Sequence, residues 1–263
     1  MSKAANILKP LVPVFSVCYG LALIYLTALP TADGDGSFPN EAAGWIITLG
    51  AILLTLFVAI PLQRKIYPES SQFSLKIPSL PVVAGVLLLA PSVLLLKEML
   101  VYGITLLDHP VQTELLTSTA EEMREDLLAG VHAVFLAPVL EELCFRHLSI
   151  PPFRRFGTRL FVCVLMAVLF GFLHVRSFVG ASVGGLLYGL VFLCSKNIWY
   201  AILLHAGGNL TGTLDGVFSF LGLGEVKASE FPAFFIPDYK IAIVSAVLAV
   251  IGVLLLVKGL KKH

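Results

Sequence analysis

The chain of 263 residues is 57% hydrophobic and only 13% charged, whereas soluble domains usually carry about 25% charged residues. Its formal net charge of +1 argues against a nucleic-acid partner. The apolar residues occur in long runs that match the hydrocarbon core of a bilayer, so composition predicts an integral membrane protein and excludes an ordinary soluble domain.

These runs predict an all-α, polytopic transmembrane helix bundle of about eight spans, in which residues 1–263 form a single transmembrane domain. The spans expected in chain order are residues 11–29, 44–62, 80–106, 127–150, 159–175, 182–194, 198–214 and 241–257. The sixth and seventh are short and nearly abut. The first follows two lysines, as a signal peptide would, but its apolar run is too long for one, so we expect a retained helix.

Loop charge predicts the orientation. With a cytoplasmic N-terminus, twelve Lys and Arg residues fall on the cytoplasmic side and five on the other. The cytoplasmic set is Lys3, Lys9, Arg64, Lys65, Lys76, Arg154, Arg155, Arg159, Lys196, Lys258, Lys261 and Lys262. This bias predicts that both termini are cytoplasmic, and the plasma membrane of a prokaryote is the expected location.

The four cysteines, Cys18, Cys144, Cys163 and Cys194, show no CxxC spacing. Three lie inside apolar runs, where a thiol behaves as a small hydrophobic side chain. We therefore expect neither a structural disulfide nor a cysteine-ligated metal.

Ionisable residues inside apolar spans are the informative ones, because placing them in a bilayer costs about 2.5–3.5 kcal/mol each. The fourth span contains Glu141, Glu142 and Arg146. On a helix, Glu142 and Arg146 stack four residues apart in the favourable order for an ion pair, whereas Glu141 points about 100° away. We expect Glu141 to titrate with a raised pKa, as a general base near neutrality requires. A purely structural ion pair is the alternative.

Two later spans carry polar side chains at helical spacing. The fifth places Phe170 and His174 on one face, and the seventh does the same with His205 and Asn209. Each can be explained alone as a packing residue or as interhelical hydrogen bonding. Together, a carboxylate, two imidazoles and an amide supply a base, a second proton carrier and oxyanion donors, which suits water attack on a carbonyl.

These residues, as Glu141-Glu142-x-x-x-Arg146, Phe170-x-x-x-His174 and His205-x-x-x-Asn209, resemble the three motifs of the CAAX protease and bacteriocin-processing (CPBP, or Abi) family. Their order and their placement on separate helices also match. The resemblance covers residues 127–214, which would form the catalytic core helices.

The resemblance implies a CAAX-endoprotease-like intramembrane endopeptidase, often labelled a metalloendopeptidase, that cleaves a membrane-associated substrate of CAAX or leader type. It implies that Glu141 and His174 activate a water and that His205 and Asn209 stabilise the oxyanion. Glu142 and Arg146 would form the ion pair at the site. The implied partners are membrane lipid and an anchored peptide or protein; substrate identity and oligomeric state stay open.

Two other histidines, His132 and His147, lie outside the three motifs. A glycine usually follows the motif arginine in this family, whereas here the residue is His147. We expect His147 to face the lipid headgroups, with narrowing of the cavity as the alternative. His132 is expected to pack and not to react.

Three alternatives to a metal-independent protease stay open. Zinc would require Glu141, His174 and His205 as ligands with an open position for water, although no HExxH motif occurs and we expect no cofactor. A non-catalytic membrane regulator or immunity scaffold of the same family is the second. A proton-coupled transporter is the third, and the lack of an inverted repeat weighs against it.

Overall fold

The computed structural model of the chain describes residues 11, 15, 18–20, 22, 38–105, 130–174, 178–220 and 239–260. Most of the expected first span lies outside these residues. The chain separates into two compact units. The first unit comprises Met1–Lys76 with Val131–Ile202, and the second comprises Ile77–Gly130 with Leu203–His263. The predictions of one domain over residues 1–263 and of a catalytic core over 127–214 stay predictions.

The described residues form helices and no strands, which confirms the all-α fold. The α-helices are α1 (Phe38–Leu54), α2 (Ile60–Ile66), α3 (Leu80–Thr105), α4 (Ala137–Glu142), α5 (Phe156–Leu173), α6 (Phe178–Ser195), α7 (Ile198–Phe220) and α8 (Tyr239–Leu260). The second to eighth expected spans each contain helix. The sixth and seventh were predicted to be short, which is wrong, since α6 has 18 residues and α7 has 23.

Three stretches of the described residues are long and apolar enough to cross a membrane: Ala43–Ile66, Phe156–Leu173 and Phe178–Ser195. Large apolar side chains on them are exposed, among them Ile46 at 71% and Phe57 at 72%. Exposure of this extent would be a liability in water but is expected where a helix faces lipid. The protein is therefore an integral membrane protein.

The first of these stretches changes helical geometry halfway. A π-helical segment, Thr55–Ala59, joins α1 to α2, and the N–H of Ile60 donates to the carbonyl oxygen of Thr55. Pro61 follows directly and has no N–H to donate to Phe57, four residues before it. The wider π-turn lets the chain pass this proline without ending the helix.

The helix that carries the first motif is also irregular. Residues 130–135 are helical, Leu136 is a turn, and α4 restarts with Pro138 in its first turn. A second π-helical segment, Leu143–His147, follows α4 without a break and contains Arg146. Segments of this kind often mark functional sites. The sequence pattern predicted a helix here but did not reveal this π-helical geometry.

The side chain of Gln63 donates hydrogen bonds to the C-terminal end of the motif helix. Pro151 and Pro152 supply no N–H, so the carbonyl oxygens of His147 and Leu148 lose their usual helical partners. The side-chain Nε2 of Gln63 donates to both oxygens, at 3.3 Å and 2.5 Å respectively. A residue of α2 thus holds the end of the motif helix in the first unit.

The segment after α2 is fastened to the junction of α6 and α7 within the first unit. The N–H of Ser74 donates to the carbonyl oxygen of Lys196 at 2.7 Å, and Asn197 Nδ2 donates to that of Lys76 at 3.0 Å. Trp199 Nε1 donates to the carbonyl oxygen of Leu75 at 2.9 Å. These hydrogen bonds hold residues 74–76 against the junction of α6 and α7.

In the second unit, α3 and α8 cross at two glycines. A Cβ on Gly85 would lie 2.7 Å from the carbonyl oxygen of Gly252, so only glycine permits this approach. Ser92 Oγ donates to the carbonyl oxygen of Ser245 at 2.6 Å farther along. Small residues and one polar bond therefore fix the crossing.

Candidate active site

The expected ion pair of the first motif is present. Arg146 Nη1 lies 3.1 Å from Glu142 Oε1, and the side chains are only 1% and 0% exposed. Breaking such a buried pair leaves an uncompensated charge, so each partner depends on the other. The pair therefore holds the Glu142 carboxylate beside Arg146.

Arg146 links the first motif to the second within the first unit. Its guanidinium carbon lies 4.8 Å from the ring centroid of Phe170 on α5, which is cation–π distance. Its Nη2 donates to the carbonyl oxygen of Gly185 on α6 at 3.1 Å. A Cβ on Gly185 would lie 2.9 Å from that same Nη2. One arginine thus joins the motif helix to α5 and α6, and the small residue at position 185 makes room for it.

His174 directly follows the last residue of α5. Its ring centroid lies 4.4 Å from that of Phe170, and its Nδ1 lies 2.9 Å from the carbonyl oxygen of Phe170. A carbonyl oxygen only accepts, so Nδ1 carries the proton. In the neutral imidazole, Nε2 is then the nitrogen with an open lone pair. The backbone bond therefore fixes the orientation of the His174 ring relative to Phe170.

Glu141 differs from its neighbour in burial. The Glu142 side chain is fully buried, whereas Glu141 is half-buried on α4. The two adjacent carboxylates thus have distinct surroundings, as their angular separation on a helix predicts. Partial exposure is compatible with access of water or substrate to Glu141.

The third motif lies on α7, in the second unit. His205 is 6% exposed and Asn209 is half-buried. Between them, a Cβ on Gly207 would lie 2.4 Å from the Cβ of Ala90 on α3. Close contact between α3 and α7 therefore requires glycine at position 207, and this glycine sits between the two polar residues of the motif.

His147 does not face the headgroups as predicted. Its side chain is 0% exposed, and its ring centroid lies 5.9 Å from that of Phe192 on α6. Gln63 binds the carbonyl oxygens of this same turn, and the imidazole is buried there. The prediction was wrong because the local sequence around His147 does not reveal that a distant residue, Gln63, binds this end of the helix.

His132 makes a packing contact, as expected. Its Nε2 lies 2.9 Å from Thr48 Oγ1, and the same hydroxyl donates to the carbonyl oxygen of Gly44 at 2.8 Å. A hydroxyl has one proton to give, so Thr48 accepts from His132 Nε2–H. This bond joins α1 to the helical stretch before α4.

No group of three or more His, Cys, Asp or Glu side chains with metal-site geometry occurs among the residues that the structure describes. The zinc hypothesis was that Glu141, His174 and His205 share an ion. It stays a hypothesis, as does the expectation that no metal is needed.

Comparison with protein families gives a match over the stretch that carries the three motifs. Residues 124–211 match the family described as Type II CAAX prenyl endopeptidase Rce1-like. This stretch contains all three motifs and ends just after Asn209. No curated protein and no solved structure matches the chain. The match confirms the predicted resemblance: residues 124–211 of this integral membrane protein are similar to the Rce1-like family of CAAX prenyl endopeptidases.

Proposed function

We propose that the protein is an intramembrane endopeptidase that hydrolyses a peptide bond in a membrane-associated substrate of CAAX or leader type. The observation that carries the proposal is the match of residues 124–211 to a protease family over the stretch that holds the buried Glu142–Arg146 pair. The surroundings of that pair suggest different roles for the adjacent carboxylates of Glu141 and Glu142.

In this proposal, Glu141 and His174 activate the attacking water. Glu142 is held by Arg146 at 3.1 Å, whereas Glu141 is the more exposed carboxylate. His174 donates through Nδ1 to the carbonyl oxygen of Phe170, so its Nε2 is oriented to accept a proton. Both residues lie in the first unit, and Arg146 and Phe170 connect the segments that carry them.

The third motif supplies the oxyanion side of the proposed reaction. A tetrahedral intermediate carries negative charge on the former carbonyl oxygen, and N–H donors held in place stabilise it. His205 and Asn209 offer an imidazole and an amide one helical turn apart on α7. The packing of Gly207 against Ala90 restricts movement of the helix at this point.

The proposal is tested with purified full-length protein in proteoliposomes and a lipidated peptide, with products identified by mass spectrometry. We expect Glu141→Gln and His174→Asn to lower kcat at least a hundredfold, while both variants insert and melt like the unmodified protein. His132→Gln is the matched control and should retain turnover. Full activity of both site variants would exclude the mechanism.

Metal dependence is tested separately. Extensively chelated protein that retains turnover with less than stoichiometric metal, by elemental analysis, would exclude the zinc hypothesis. Loss of turnover that zinc alone restores would instead assign Glu141, His174 and His205 as candidate ligands. The non-catalytic alternative predicts that Glu141→Gln leaves the cellular phenotype of the protein unchanged.

A further inference from the structure

The N-terminal end of α5 has the features of an anion site. Arg155 is the N-cap residue, has extended backbone angles and makes no capping hydrogen bond through its side chain, and the first turn contains no acidic residue. The first backbone N–H groups of a helix lack helical partners and carry partial positive charge. An 18-residue helix that starts without a carboxylate leaves this charge available to a ligand.

A buried arginine beside this end provides independent support. Arg159 is 8% exposed, and its Nε donates at 2.6 Å to the carbonyl oxygen of Phe153, three residues before the helix. Its guanidinium carbon lies 5.0 Å from the ring centroid of Phe73, which fixes its position. Its Nη2 is buried and has no hydrogen-bond partner among the described residues, which is costly unless a bound group accepts from it.

The charge balance at this end favours an anion. Arg154 and Arg155 directly precede α5 and Arg159 lies in its first turn, and the Arg154 side chain is 69% exposed. Glu69 is the carboxylate that faces them among the described residues, with Oε1 3.6 Å from Arg154 Nε. Three guanidinium groups against one carboxylate leave a net positive charge next to unpaired helix N–H groups, which together suit a phosphate group.

The side of α5 below this end identifies the source of the phosphate. Phe161, Val164, Val168 and Phe172 follow one another at helical spacing and are 67%, 43%, 38% and 62% exposed. Phe156, in the first turn, is also 65% exposed. A ligand with a phosphate at the helix start and hydrocarbon along this apolar face is a phospholipid, and a net negative headgroup matches the arginines.

We propose that the start of α5 binds the headgroup of an anionic phospholipid through Arg154, Arg155, Arg159 and the first backbone N–H groups of the helix, with an acyl chain along the exposed face of α5. The positive loop charge predicted for the cytoplasmic side would place the lipid in that leaflet. This binding is independent of peptide hydrolysis.

The test is the melting temperature of detergent-purified full-length protein during titration with dioctanoyl phosphatidylglycerol, dioctanoyl phosphatidylcholine or inorganic phosphate. We expect a saturable increase with phosphatidylglycerol alone. Arg155→Gln should weaken the apparent affinity about fivefold, since a basic residue near anionic lipid contributes about that much. Lys258→Gln, which removes an exposed charge from α8, is the control and should change nothing.

A second variant separates lipid binding from stability. A Cβ on Gly157 would meet nothing within 4 Å, so Gly157→Asp fits and places a carboxylate at the helix start. It should melt at or above the unmodified protein without lipid, because acids stabilise helix N-termini, yet lose the response to phosphatidylglycerol. An equal response to phosphatidylcholine, an equal response to free phosphate, or unchanged affinity in Arg155→Gln would each overturn the proposal.

Discussion

The guanidinium of Arg146 stacks on the ring of Phe170 at 4.8 Å, and through this contact the first two motifs of the family meet. Arg146 also pairs with Glu142 and donates to the carbonyl oxygen of Gly185. Its three contacts belong to three different helical segments of the first unit. The conformation around His174 therefore depends on an arginine that need not touch the substrate.

Arg146→Met should destabilise the protein by about 3–5 kcal/mol, because it removes the cation that pairs with the buried carboxylate of Glu142. The double variant Glu142→Gln/Arg146→Met should recover much of this loss, since it removes both charges. Unfolding by denaturant in mixed micelles measures both free energies. A double variant that is less stable than Arg146→Met would contradict the role assigned to the pair.

Gly185→Ala should disturb the same arginine from the opposite side. The added Cβ would lie 2.9 Å from Arg146 Nη2 and 3.3 Å from Cδ1 of Phe170, so both side chains must shift, at a cost of about 1–3 kcal/mol. Gly50→Ala is the matched control, because nothing lies within 4 Å of its Cβ. It should stabilise α1 by about 0.5–1 kcal/mol. Equal melting temperatures for the two variants would refute the prediction.

Gln63→Leu tests how the motif helix ends. The substitution leaves the carbonyl oxygens of His147 and Leu148 buried without the donor that replaces the missing proline N–H groups, which should cost about 2 kcal/mol or more. Gln72→Leu removes a comparable side-chain bond to the carbonyl oxygen of Glu69, but at an exposed site. It should change stability by no more than about 0.5 kcal/mol.

His174 should carry its proton on Nδ1 in the neutral state. Nitrogen chemical shifts of protein with labelled histidine distinguish the two tautomers directly. Phe170→Ala should keep the backbone bond but remove the ring that lies 4.4 Å from His174. We expect kcat to fall more than KM changes, because the proposed base loses the ring that packs against it while the substrate surface is retained. A neutral His174 protonated on Nε2 would contradict the assignment.

The expected coupling of His132 and Thr48 is modest. A double-mutant cycle with His132→Ala and Thr48→Ala should give about 0.5–1.5 kcal/mol, the net value of one hydrogen bond. Peptide cleavage by both single variants should stay within a few-fold of the unmodified protein. A hundredfold loss of cleavage in a stable His132→Ala variant would instead place this histidine in the reaction.

Hydropathy and spacing predicted the helices and the buried ion pair, because both depend on residues close in sequence. The order of Glu142 and Arg146 on one helical face was enough to predict their contact. Other features depend on partners far along the chain. The stack of Arg146 on Phe170, the burial of His147 and the bonds from Gln63 all join different segments, and no local pattern reveals them.

The two π-helical segments depend partly on local sequence and partly on distant residues. Pro61 explains the first of them once the structure is known, yet a proline alone does not predict a π-helical segment, since Pro91 lies inside the continuous α-helix α3. The second segment, Leu143–His147, has no proline within it, and its geometry accompanies the anchoring of the helix end by Gln63. Pro61 and Gln63 are both visible in the sequence, but neither residue shows in advance that a π-helical segment forms.

The hydrogen bond from His174 Nδ1 to the backbone carbonyl of Phe170 also determines the order in which a neutral ring can accept and donate a proton at Nε2. With Nδ1–H committed to a carbonyl, a neutral His174 can receive a proton at Nε2 but has none to give there. It becomes an acid only after it has served as a base. For a ring that starts neutral, donation to a departing group therefore follows proton uptake at Nε2, and a reaction that needs an acid first would need another donor.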